Sequence, residues 1–161
     1  MSKFALSDEG RSYLQIYMKP NKRTTLSRVQ FKVDTGADFT TISKKELVLL
    51  GYSYEWLEEH MKVDVTHTLS RAGGKPQPAY YIQITVSNIL GRELLNWPFY
   101  IRKERDLDFP NLLGLNLLIY FNICFDYREW TFTIEHIDKP GNKIPMLPDQ
   151  LICSLENMDS Q

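Results

Sequence analysis

The sequence predicts a mainly β protein: a small closed or folded-over β-domain carrying a few short helices. Two observations predict it. Five runs, Tyr13–Met18, Val29–Val33, Tyr80–Val86, Leu94–Ile101 and Trp130–Ile137, are rich in aromatic or β-branched residues, and turn formers bound most of them. The helix-like segments, by contrast, are short. Bulk composition fits this reading, since 161 residues with 43% apolar and 24% charged side chains suit one globular domain with its own core.

The elements follow in order. Residues 1–12 read as an N-terminal segment, 13–137 as the domain and 138–161 as a C-terminal extension or tail. Pro20-Asn21 begins a polar turn that makes the first two strands a hairpin. Ser87-Asn88 and Gly91 do the same for the third and fourth. Ser43-Lys44-Lys45-Glu46 matches a capping box, Leu47, Leu49 and Leu50 supply an apolar face, and Gly51 stands where a left-handed cap would end that helix. A second short helix is expected around Trp56–Lys62 and a third from about Leu115 to Phe121. Beyond Asp138 the chain is punctuated by Pro140, Gly141, Pro145 and Pro148, which reads as an extended arm.

Charge and composition narrow the functional classes. A formal net charge of −1 gives no global field for nucleic acid or an anionic membrane. No run of apolar residues reaches the length of about eighteen that a membrane span needs. The first ten residues hold acids and no apolar run of signal-peptide length, so a cytoplasmic location is expected, with Cys124 and Cys153 as thiols and Cys124 as a small core residue. His60, His67 and His136 share no metal-ligand spacing and read as surface or strand residues, so no metal or other cofactor is expected. Trp56, Trp97 and Trp130 read as core or interface aromatics, and Arg102-Lys103-Glu104-Arg105-Asp106 as a solvated loop of mixed sign.

The chemistry-bearing segment is Val29-Gln30-Phe31-Lys32-Val33-Asp34-Thr35-Gly36-Ala37-Asp38. An alternating strand ends there in an acid, a hydroxyl and a glycine, which presents a carboxylate at the mouth of a tight turn. Asp-Thr-Gly alone is weak, arising by chance in about one chain in twenty to thirty of this length. It gains weight from Phe109-Pro110-Asn111-Leu112-Leu113-Gly114, an apolar pair and a glycine leading into a helix. A glycine-rich stretch, Arg71-Ala72-Gly73-Gly74-Lys75, lies between the two. It is not a phosphate loop, because Pro76 and Pro78 follow where a helix would have to begin.

This combination resembles the retropepsin-like aspartic proteases, the single-domain aspartic proteases of retroviruses and their bacterial relatives, over about Tyr13 to Ile137. The helix at Ser43–Gly51 is longer than retroviral members usually have and is more similar to the bacterial branch. The resemblance implies a retropepsin-like acid-protease fold, and an aspartic endopeptidase that acts as a homodimer on peptide or protein substrates. Asp34 would be catalytic, and Thr35 and Gly36 would support its turn. Gly36, Ala37, Asp38, Ala72, Gly73 and Gly74 would bind substrate, the last three as a flap. Val33, Leu112, Leu113 and Gly114 would pack behind the site. One departure stands out. Retroviral members commonly place Arg after the later glycine, to pair with the acid that follows the turn's alanine; Leu115 stands there instead.

The chain carries the acid turn once, since Asp8-Glu9-Gly10 lacks both a preceding apolar strand and a central hydroxyl. A two-carboxylate mechanism therefore requires a second copy, with the terminal strand Trp130–Ile137 contributing to the symmetric interface by analogy with the family. The rival reading is a non-catalytic homodimer that holds an extended peptide in the same groove by strand addition.

Overall fold

The computed structural model describes residues 1–19, 26–69, 74–105 and 109–137. The chain runs through β1 (Ser2–Ala5), β2 (Tyr13–Met18), β3 (Ser27–Val33), α1 (Lys44–Leu49), α2 (Tyr54–His60), β4 (Lys62–Leu69), β5 (Gln77–Ile89), β6 (Arg92–Ile101), β7 (Leu112–Leu113), α3 (Leu115–Leu118), β8 (Phe121–Asp126) and β9 (Thr131–His136). The strands divide into two sheets. The larger runs β4-β5-β2-β3-β7, with β6 also paired to β5; the smaller runs β1-β9-β8.

Alternation sets the register. Leu14, Ile16 and Met18 of β2 are buried while Gln15 and Tyr17 face outward. Antiparallel β3 places Phe31 opposite Leu14 and Val29 opposite Ile16, so both apolar sets share one face. Ile82, Ile84 and Val86 of β5 and Phe99 of β6 join them in the core. The turn between β2 and β3 lies outside the described residues. β5 and β6 run further than their apolar stretches, through Ser87 and Asn88, and reverse at Leu90 and Gly91. Both of these have positive φ, +50° and +86°, and the Asn88 side-chain oxygen accepts the Gly91 N–H at 2.8 Å.

Helix boundaries follow their caps. The Ser43 hydroxyl accepts the Glu46 N–H at 3.1 Å and Gly51 ends α1 at φ +93°, as the sequence predicts. α2 starts earlier than expected, because Ser53 caps it by accepting the Trp56 N–H, and it ends before Lys62, which enters β4. α3 is shorter than expected, since Phe121 is claimed by β8, where it faces His136. β1, β4 and β8 carry no strong strand signal and form through their partners.

One expectation about a single residue changes. Cys124 is exposed, not a small core residue, because β8 is an edge strand and the alternation that buries Phe121 turns Asn122 and Cys124 outward. Trp130 is 42% exposed at a φ of +57°, closing the β8–β9 hairpin; its indole N–H donates to the Ser7 carbonyl at 2.9 Å. The extension 138–161, including Cys153, lies outside the described residues. Among the described residues, no helix is long and apolar enough to cross a membrane.

Candidate active site

The geometry of the acid turn starts with a parallel pairing. β3 and β7 lie side by side with Lys32 opposite Leu112 and Val33 opposite Leu113. Two carbonyls of the later segment capture the end of β3: Asn111 accepts the Lys32 N–H at 2.9 Å and Leu113 accepts the Asp34 N–H at 3.0 Å. On the other side the Ser12 carbonyl accepts the Val33 N–H at 2.8 Å. Asp34 is thus held by backbone bonds on both flanks at the point where the strand must turn.

The turn then closes on itself. The Gly36 N–H donates to Asp34 Oδ1 at 3.0 Å, and the Ala37 N–H reaches the Asp34 carbonyl at 3.2 Å. The space beside Gly36 is tight, since a Cβ there would stand 3.3 Å from Asp34 Oδ1. The Asp34 side chain keeps 29% of its surface open, and its Oδ2 lies 3.7 Å from the Lys32 ammonium. Thr35 and Gly36 are exposed at the tip. Asp38 is also exposed, and among the described residues no cation pairs with its carboxylate. The backbone of this stretch is tied to α3. The Leu115 N–H donates to the Ala37 carbonyl at 2.8 Å and the Asn116 N–H to the Asp38 carbonyl at 3.1 Å.

Val33, Leu113 and Gly114 are fully or nearly buried behind the turn, with Leu112 half-buried. Gly114 is there for space: a Cβ would stand 2.2 Å from the Phe39 carbonyl oxygen, inside any tolerable contact. Of the flap residues, Gly74 is exposed just before β5, whereas Ala72 and Gly73 lie outside the described residues.

Sequence reasoning missed two supports. The first is a clamp between Asn116 and Thr40, both wholly buried. Asn116 Oδ1 accepts from the Thr40 N–H at 2.9 Å and from the Thr40 hydroxyl at 2.8 Å, while Thr40 Oγ1 in turn accepts the Gly114 N–H at 3.1 Å. An asparagine alone among the leucines of Leu115-Asn116-Leu117-Leu118 was the available signal. The second is a polar cluster between β4 and β6. Asp64 is 4% exposed on β4, and its Oδ2 accepts from the Tyr100 hydroxyl of β6 and lies 2.9 Å from His67 Nδ1. Burial, then the hydrogen bond to Asp64, push the Tyr100 hydroxyl far up, so it stays neutral and donating. Phe39 packs on both rings, 4.4 Å from Tyr100 and 5.3 Å from His67 between centroids. The cluster therefore reaches the acid turn through the residue after Asp38. No periodicity betrays it, because the three partners come from two strands and an irregular stretch of β4.

No protein-family model matches the sequence, and no curated protein matches it. The fold does have a counterpart among solved structures. A retropepsin-like aspartic protease from Rickettsia conorii superposes with a TM-score of 0.56 at 23% sequence identity, covering 83% of this chain and 92% of that one. The mainly β architecture described above is accordingly a retropepsin-like fold.

Proposed function

We propose that the chain is an aspartic endopeptidase that works as a homodimer, with the two Asp34 carboxyls forming one reaction centre on a two-fold axis. The observation that carries this reading is Asp34 itself. It stands at the β3–β7 junction of a retropepsin-like fold, partly open, with one oxygen fixed by the Gly36 N–H and the other 3.7 Å from the Lys32 ammonium.

Two carboxyls brought within hydrogen-bond reach cannot both ionise cheaply, so the pair holds one proton and titrates as a unit; aspartic proteases are the standard case of this coupling. A water between them gives a proton to the ionised carboxylate and attacks the peptide carbonyl. The protonated carboxyl donates to the carbonyl oxygen as it becomes tetrahedral, and proton return to the amide nitrogen releases the products. Thr35, exposed at the tip, would hydrogen-bond the partner's turn and fix the spacing of the acids. The β1-β9-β8 sheet would carry the rest of the interface, and the segment between β4 and β5 would close over bound peptide.

The test is cleavage of a peptide library near pH 5 by wild type and by Asp34→Asn. The variant should retain fold and dimer and lose turnover by at least about a thousandfold, the scale of removing a general base together with its oriented water. Turnover retained in Asp34→Asn would remove this residue from the mechanism. Peptide binding without cleavage by the wild type would favour a non-catalytic peptide-binding dimer instead.

A further inference from the structure

The cavity that Asp34 opens into has walls of an unexpected kind for an uncharged peptide. Its volume is about 390 Å³, near the lower end of the range of about 300–1,000 Å³ typical of ligand sites. That suits a side chain or two. It is lined by Lys32 and Arg11 beside Asp34, with the polar Gln30 and Asn111 and with Tyr13, Pro110 and Leu112 completing the wall. Lys32 is on the same face of β3 as Asp34, two residues earlier, and its ammonium lies 3.7 Å from Asp34 Oδ2 with 38% of the side chain exposed.

We propose that this cavity selects an acidic side chain at the residue flanking the scissile bond, with Lys32 as the specificity-determining contact. The inference rests on the protease reading above and adds the substrate class. The argument is one of charge. In the active dimer the two Asp34 groups together carry one negative charge, so each cavity borders half of it, while each also holds the whole charge of Lys32 and of Arg11. Arg11 is partly spoken for, since its Nε lies 3.1 Å from Glu9, outside the lining. Lys32 has only the shared charge of the reaction centre to satisfy it. An incoming glutamate or aspartate supplies the missing half, and Gln30 offers amide N–H donors for its second oxygen. A leucine or phenylalanine at the same place would gain apolar contact with Tyr13, Pro110 and Leu112 but would strip water from two cations without replacing it.

The experiment compares paired peptides that differ only in Glu or Gln beside the cleaved bond, read as kcat/KM. At pH 6 and low salt the Glu peptide should win by about two- to fivefold, the scale of a half-exposed ion pair. The ratio should shrink at 0.5 M salt and approach one as the pH falls below the carboxyl range near pH 4. Lys32→Met should collapse the ratio, and Lys32→Arg should restore it. A wild-type ratio at or below one, or a preference unchanged by salt and by Lys32→Met, overturns the inference while leaving the protease reading intact. The wild-type ratio and its salt dependence decide the matter even if a variant fails to fold. If no peptide of any composition is cleaved, the protease reading itself falls, and the specificity falls with it.

Discussion

At the residue scale the site depends on groups that do no chemistry. Gly114 has no room for a methyl group, because the obstacle is the backbone carbonyl of Phe39, which has nowhere to move. Gly114→Ala is therefore expected to destabilise by about 3 kcal/mol or more, as overpacking against backbone does; urea denaturation of the variant measures this. Asn116→Leu keeps the size and removes the acceptor shared by the Thr40 N–H and hydroxyl. Leaving these buried donors unmet should cost about 1–3 kcal/mol. It should also lower kcat more than it raises KM, since Thr40 in turn holds Gly114 behind the acid.

Tyr100 gives the protein a pH signature. Its hydroxyl is raised above the ordinary value of 10.0 by burial first and by Asp64 second. A raised folded-state value means that the unfolded chain loses its proton before the folded one does. The stabilisation is then complete below about pH 10 and declines as pH rises beyond it. Chemical denaturation at pH 8, 10 and 11 should show that decline in wild type, and Tyr100→Phe should flatten it while lowering stability at pH 8. A decline of equal slope in both proteins would place its origin elsewhere.

At the scale of elements, the working part is β3-turn-β7-α3, and it was half legible. The strand, its acid turn and the apolar pair with its glycine are local patterns: the strand was readable from alternation, and the other two gained their meaning from the family resemblance. The pairing of β3 with β7 was not, because Lys32 and Leu112 are eighty positions apart and parallel strands have no turn to announce them. The Thr40–Asn116 clamp has the same character, spanning 76 positions. α1 was readable because capping is local. Ser43→Ala should cost about 1 kcal/mol without altering activity, in thermal denaturation and peptide turnover respectively. Asp64 ties β4 to Tyr100 of β6. Hydrogen exchange across residues 69–77 is expected to slow when a peptide inhibitor binds; an unresponsive segment would be an ordinary turn.

For the whole molecule the decisive question is how many chains complete one site. On the proposed reading, the single Asp34 turn supplies half a reaction centre per chain. Mixing wild-type and Asp34→Asn protein tests this directly. At fixed total protein, equal amounts of the two chains and free exchange, random pairing leaves about one quarter of dimers with both acids, so activity should fall to about a quarter of that of the same total of wild type rather than to half. Activity that halves would mean that each chain acts alone.

The residues by themselves determined what their order alone can encode: alternating strands, the capped helix from Ser43, the acid presented by Asp34-Thr35-Gly36, and the absence of a second such turn. Tertiary structure decided which distant backbone atoms hold Asp34 and that Phe39 forbids a side chain at Gly114. It also decided that Asp64, His67 and Tyr100 meet between β4 and β6, and that Lys32 and Arg11 share a wall with the acid. The reason is physical. Propensity, capping and alternation act across a few neighbouring residues, whereas hydrogen bonds and charges joined across two sheets exist only once the chain has folded back on itself.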